Sequence, residues 1–459
     1  MKKFTIFVLL FSWLFLVGCG GGGASVNNNN PTTVAKEWQG AVQVDNLPSS
    51  QELIYILNSK NLSVNQNGYA ALSWTQIYNN HPLPYISFYD FDNNSWSQPE
   101  KIYGSTHIDT IEVKTAIDNN KNVVAAWIGV DNGHKNLYLR KYVYGSGWDT
   151  FTHIVEQSNE DVDSFDLAYL NNRAVVSWVQ KDGSNKKCHT RIFDFSTGHT
   201  SNIYKFTASS GDVSYTTVGI DKNGNIMLAW KQRVGTVDHL FAKRYNYSTS
   251  NWGVNKQLDN LTYHANIVKL DMNRDGDVAF VWNQYDGSNS NTYLNFYNHT
   301  TDKFFTVQSK LNQQNTETVD ATVSLNDNSD MIVAWRQKNS NNKYDVYAKI
   351  YNKSLNKWSN AKKIENINDD NSAYFISANI DNNRNAVVTW EQKDNNIYSV
   401  YANNYDASDD SWSGDTELEN SDKLARFVIS KIDKNGNAIA AWMQKNSANK
   451  MHLYSNVYR

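Results

Sequence analysis

Only two of the 459 residues are cysteine, Cys19 and Cys188. With Cys19 taken up by the modification argued below, one thiol remains, and one thiol makes no intramolecular disulfide. Stability must then come from packing, and Cys188 reads as a small buried apolar side chain rather than a nucleophile. An excess of one charge is also missing: 43 Lys and Arg stand against 46 Asp and Glu, a formal charge of −3, interspersed without long runs. That excludes the basic face of a nucleic-acid binder and a polybasic membrane patch. No helical periodicity, linker or composition shift interrupts the chain between Trp38 and Arg459. Zinc-ligand spacing among the ten histidines, a G-x-S-x-G elbow and a phosphate loop are absent too. Local catalytic motifs and cofactor fingerprints are thereby removed, whereas a composite site drawn from distant segments stays open.

What is present begins with Lys2 and Lys3, followed by an apolar run from Phe4 to Val17. It is shorter than the ~20 residues a spanning helix needs and reads as a secretory signal over residues 1–18. The run ends in Leu16-Val17-Gly18-Cys19, which resembles the lipobox of bacterial lipoproteins. That resemblance implies that Cys19 is acylated, palmitate-type chains included, and becomes the mature first residue, so that membrane contact runs through the lipid alone. Gly20 in the next position implies sorting to the outer membrane, periplasmic or surface-facing. Residues 19–36 are Gly-rich and then Asn-rich, the composition of a flexible tether.

From there the sequence repeats. Trp74, Trp127, Trp178, Trp230, Trp282, Trp335, Trp390 and Trp442 are separated by 53, 51, 52, 52, 53, 55 and 52 residues. A fixed period of this length signals repeated supersecondary units. The copy from Ile429 to Tyr458 is the clearest: ISKID, the turn Asp433-Lys434-Asn435-Gly436-Asn437, then AIAAWMQ. Apolar β-formers flank a turn rich in Asp, Asn and Gly, which predicts a hairpin of strands A and B. Strand B, apolar on both faces, should be buried from two sides. A third strand, C, ends in an aromatic 15 or 16 residues beyond each tryptophan, and a polar fourth, D, opens on Trp96, Trp148, Trp252, Trp358 or Trp412, with Thr200 and Phe304 in two copies.

Four antiparallel strands per unit, eight times over, predict an all-β, eight-bladed β-propeller over residues 37–459. Two stacked sandwiches or an open solenoid are the competing architectures. Neither accounts for the termini: the eighth copy stops after strand C, while residues 37–47 are an orphan strand D carrying Trp38. The N-terminal strand should complete the last blade and close the ring. The whole pattern, a D-x-N-G-N hairpin followed by AVVAW-x-Q, Y-A-x-x-Y-D and W-S, resembles uncharacterised bacterial secreted and lipoprotein propellers and is distantly sialidase-like. It departs from the sialidase Asp-box, whose tryptophan comes five residues after the aspartate rather than nine.

Two sets of residues are candidate sites. Gln76, Gln180, Gln232, Gln284, Gln337, Gln392 and Gln444 follow the strand-B tryptophan by two, with Gly129 breaking the series. On a strand they share the tryptophan's face, so they either satisfy loop backbone or form a ring of amides for a repetitive ligand. Asp271, Asn273 and Asp275 resemble the first half of an EF-hand loop and are candidate calcium ligands, in a turn that reads as two residues longer than its siblings. Ala279 and Trp282 occupy the ninth and twelfth positions, so the loop is incomplete, and the alternative is an Asx-rich turn. Every mature tryptophan sits at a repeat position and reads as core.

The leading expectation is therefore a non-catalytic envelope lipoprotein that presents one propeller face to a protein partner. The favoured face carries the irregular loops Ile77 to Pro84, Val130 to Lys135, Val234 to His239 and Glu365 to Ser372. Alternatives are a glycan-binding module, suggested by the abundance of Tyr and Asn, and an enzyme acting on polysaccharide or phosphoester at the central channel.

Overall fold

The turn at Asp433 shows how each blade begins. Asp433 Oδ1 accepts hydrogen bonds from the backbone N–H of Asn435 (2.8 Å) and Asn437 (2.9 Å), and Gly436 takes φ +80°. The side chain thus mimics a backbone acceptor and reverses the chain. Asn65, Asp118, Asp221, Asn273, Asn326 and Asp381 cap their turns through the same side-chain oxygen. Blade 3 uses a two-residue turn instead, with Asn171 and Asn172 both at positive φ.

A computed structural model describes residues 36–459 except 50, 52, 54–57, 104–107, 306–308, 313–315, 368–370 and 395. The signal segment, Cys19 and nearly all of the tether lie outside the described residues. The rest forms eight antiparallel sheets, each in the order A-B-C-D, with no helix among the described residues. Strand D is weaker than its sequence suggests: in blade 1 it is Ser95–Trp96, and after a break Glu100–Lys101 pairs with the same strand C. Blade 8 takes A, B and C from Ala425–Ile432, Ala438–Lys445 and Met451–Tyr458, and its outer strand from Val42–Gln43. Trp38 bridges Tyr458, ring centroids 5.4 Å apart, and the fully buried Asp45 and His452 meet at 2.9 Å, so the orphan strand closes the ring.

The core is divided. Eight apolar clusters each join two neighbouring blades, including blades 8 and 1, and the eight strand-B tryptophans are all buried within them. Most stack on the strand-C aromatic directly opposite, as Trp74 on Tyr85 (6.2 Å) and Trp178 on His189 (5.4 Å). Cys188 is fully buried against Thr216 Oγ1 at 3.3 Å, and burial pushes its thiol up to about 12, an inert small side chain.

Candidate functional site

The seven glutamines are spoken for. In every copy the indole Nε1 of the strand-B tryptophan donates to the glutamine Oε1, at 2.7 to 3.2 Å, and the glutamines are 0–6 % exposed. Their amide nitrogens then donate to the preceding blade: Gln180 to Glu160 O (2.6 Å), Gln284 to Asp259 Oδ2 (3.1 Å) and Tyr263 O (2.7 Å), Gln392 to Asn371 O (3.0 Å). Each glutamine satisfies a buried indole, and Gln76, Gln180, Gln232, Gln284 and Gln392 also latch onto the segment that leads in from the preceding blade, so the buried amides form no ligand-facing ring. In blade 2 a Cβ on Gly129 would lie 2.3 Å from Ile108 Cγ2, and Trp127 Nε1 has no partner among the described residues.

The candidate calcium ligands do not converge either. Asp271 lies on strand A, where it accepts the Leu325 N–H at 2.8 Å. Asn273 caps its own turn and donates to Asn326 O at 3.2 Å, whereas Asp275 points outward to an ion pair with Lys222. The turn has no extra residues: Asn273 stands nine before Trp282, as Asp221 stands nine before Trp230. Asp271 precedes the turn by two residues and belongs to strand A, so the turn has the length of its siblings.

The eight strands A face the axis, and what they place there differs end to end. At the A-to-B turn end, hydrogen bonds cross between opposite blades: Gln66 of blade 1 accepts from Arg274 of blade 5 and donates to Asp327 of blade 6. Asn119 and Asn382 extend the bridge at 3.1 and 3.2 Å. Further in, Lys60 reaches Asp166 at 3.7 Å and Lys114 lies 3.2 Å from Glu112. Burial raises the Asp271 carboxyl and lowers Lys431, their opposite charges partly offsetting this.

The other end, framed by B-to-C and D-to-A segments, is open over blades 5–8. A cavity of about 690 Å³ is walled by Lys269, Asp320, Arg336, Lys343, Tyr344 and Tyr374. A second of about 420 Å³ shares four of these and adds Phe375 and Phe427. Both fall within the ~300–1,000 Å³ usual for ligand pockets. Arg336 donates to Asp320 Oδ2 (2.9 Å from Nε) and Ala373 O (2.8 Å), lying 5.2 and 5.0 Å from the Tyr344 and Tyr374 rings. Arg426 donates twice to Glu391 Oε1 (3.0 and 2.7 Å) and lies 4.2 Å from the Tyr398 ring. Phe375 and Phe427 meet edge to face at 4.9 Å.

Bulges in strand A put these rings there. Asp320, Phe375 and Phe427 sit at bulges with φ of 55°, 48° and 61°. Bulky residues rarely occupy this left-handed region, so it must be held from outside. The residue after the strand-B tryptophan of the preceding blade does so: Asn283 Oδ1 accepts from Ala321 N (2.9 Å), and Glu391 Oε2 from Phe427 N (2.6 Å). None of these residues stands out in the sequence. The signal that could have found them is the non-repeating residue after each tryptophan: Asn283, Arg336 and Glu391 in blades 5–7 against Ile128 and Val179 in blades 2 and 3.

No family model and no curated protein sequence matches the chain. Solved propellers do. The Dos1 propeller superposes with a TM-score of 0.52 at 10% identity over 92% of this chain and 95% of its own. A polysaccharide lyase described as a PL25 ulvan lyase reaches 0.49 at 9% over 91% and 95%, and the NanB sialidase from Streptococcus pneumoniae 0.37 at 11% over 90% and 70%. The likeness is one of fold. At these identities it says nothing of ligand or reaction.

Proposed function

We propose that the protein is a non-catalytic, lipid-anchored envelope binding protein whose open channel mouth takes a saccharide. The observation that carries the reading is the mouth over blades 5–8, where Tyr344, Tyr374, Phe375 and Phe427 offer ring faces and edges beside Asn58, Asn266, Asn342 and Ser372. Flat apolar faces with amide and hydroxyl groups between them suit a sugar ring, which presents C–H faces and a girdle of hydroxyls. Binding rather than catalysis is supported by Asp320, the carboxylate that lines both cavities, being held by the Arg336 guanidinium. Screening the purified protein on a saccharide array tests the reading: a bound oligosaccharide whose affinity falls with Tyr374→Ala supports it, and an array without binders overturns it.

A protein partner, the other expectation, is favoured by one observation on the same face. Val234, Tyr263, Ile267 and Tyr285 of blades 4 and 5 are exposed there, with Tyr263 and Tyr285 edge to face at 5.1 Å. The anchor at Cys19 is tested by palmitate labelling, which Cys19→Ala should abolish.

A further inference from the structure

We infer that the channel mouth is an anion site, so that the saccharide it takes carries an acid group, a carboxylate or a sulfate, seated on Lys269. The inference rests on the saccharide reading for the class of ligand and on separate observations for its charge. Lys269 stands on strand A of blade 5 at the register position facing the axis, paired in the backbone ladder with Val281. It lines both mouth cavities. Among the described residues its side chain has no hydrogen-bond or ion-pair partner, and burial holds its amine below the usual lysine range. A half-buried lysine with no carboxylate within ion-pair distance is costly unless something supplies the counter-charge.

Its neighbours supply it only in part: the charge of Asp320 favours the Lys269 ammonium, while that of Arg336 works against it. The acid facing it, Asp320, is taken by Arg336 through two nitrogens. Lys343 lines the same cavity, so the 690 Å³ space counts three cations, Lys269, Arg336 and Lys343, against the single carboxylate of Asp320. This surplus sits in a chain whose formal charge is −3, so it is local rather than a reflection of overall composition. The lower channel shows the contrast: Lys60 and Lys114 each have a carboxylate within ion-pair distance, at 3.7 and 3.2 Å. Lys431, deeper in the channel, faces Asp271. Among the described residues, the mouth combines a cation without an ion pair, room for a ligand and stacking rings.

Two arms test the inference. The first measures binding of uronic-acid tetrasaccharides, sulfated tetrasaccharides and their carboxyl-reduced or desulfated counterparts to the wild-type protein and to Lys269→Met. The acidic forms should bind roughly 10- to 100-fold more tightly than the neutral ones, and Lys269→Met should remove that preference. Equal affinity for acidic and neutral forms, unchanged in the variant, overturns the anion site while leaving the saccharide reading standing. The second arm needs no saccharide chain: free glucuronate and inorganic sulfate are titrated against protein carrying 13C-labelled lysine, with the Lys269 side-chain resonance assigned by its loss in Lys269→Met. A saturable shift supports the anion site even if the array is empty, and no shift with either anion overturns it. Because a half-buried charge without an ion pair is removed, Lys269→Met should melt no lower than wild type, so lost binding is not lost folding.

Discussion

Blades 2–4 and blades 6–8 share one frame and differ at the axis. In both halves the strand-B tryptophan is buried, and in blades 2–4, 6 and 7 it stacks on strand C. Opposite the residue before that tryptophan, blades 2 and 3 place Lys114 and Asp166 on strand A, whereas blades 6 and 7 place Thr322 and Ser377. The first pair engages Glu112, Lys60 and the Phe165 carbonyl across the channel, whereas Ser377 of the second lines an open cavity. The bulges differ as well. In blades 2–4 the extra residue, Ile111, Asp163 or Ser214, keeps negative φ, whereas in blades 6–8 Asp320, Phe375 and Phe427 do not. Stability here belongs to what repeats, and the candidate site to what does not.

If the frame is common, truncating its tryptophan should cost the same on either side. Trp178→Ala in blade 3 and Trp335→Ala in blade 6 should each lose about 3–5 kcal/mol, the range for emptying a large aromatic site. Chemical denaturation followed by tyrosine and tryptophan fluorescence measures it. A much smaller loss for Trp335 would mean that the open half is loosely packed as well as differently lined, and the comparison would fail.

The same division governs how much was legible in the sequence. Tryptophan spacing and the Asx turns carried the blade count, because the first is a local pattern repeated eight times and the second seven; the single displaced strand D carried the closure. The glutamine series pointed to one face with its tryptophan, and only the 3.0 Å bond from Trp74 to Gln76 and its siblings turned that into an interblade latch. Lys269 was not legible. In sequence it is an ordinary polar residue in an alternating strand, and its isolation depends on Asp320 being taken by an arginine from strand B. Asp271 misled for a related reason: a channel-side aspartate two residues before the turn imitates a metal loop. The left-handed bulges are held by side chains some 35 to 40 residues away, beyond any local pattern.

The packed half carries its own weak point, and acid should find it first. In blade 3 His189 takes the place that Tyr, or Phe241 in blade 4, occupies opposite the other tryptophans. Buried under Trp178, its imidazole is pushed down to about 4, burial first and Lys205 second. The unfolded chain binds the proton near pH 6.5 and the folded chain only near 4, so stability falls as pH drops through that window and the full penalty applies below it. The shift corresponds to roughly 3 kcal/mol. Melting temperatures from pH 7.5 down to 4 should therefore drop less steeply in His189→Tyr than in wild type. Equal slopes would locate the acid sensitivity elsewhere and remove this difference between the halves.

The smallest effect asks whether the open half is strained for a purpose. Phe375 is 43 % exposed, so its ring contributes little burial, yet its backbone occupies a region that costs an L-residue about 1–2 kcal/mol. Glycine adopts that φ without the clash but loses more entropy on folding, which leaves Phe375→Gly between neutral and about 1 kcal/mol more stable. Ser214→Gly, at a bulge of the packed half with negative φ, should gain nothing and lose about 0.5–1 kcal/mol. The Phe375 variant should at the same time bind its saccharide more weakly, because the ring it removes stands at the mouth beside Phe427. A gain in stability with a loss of binding is the signature of strain retained for recognition. Loss of both would make Phe375 part of the frame, and the line between what repeats and what binds would have to be redrawn at the bulge.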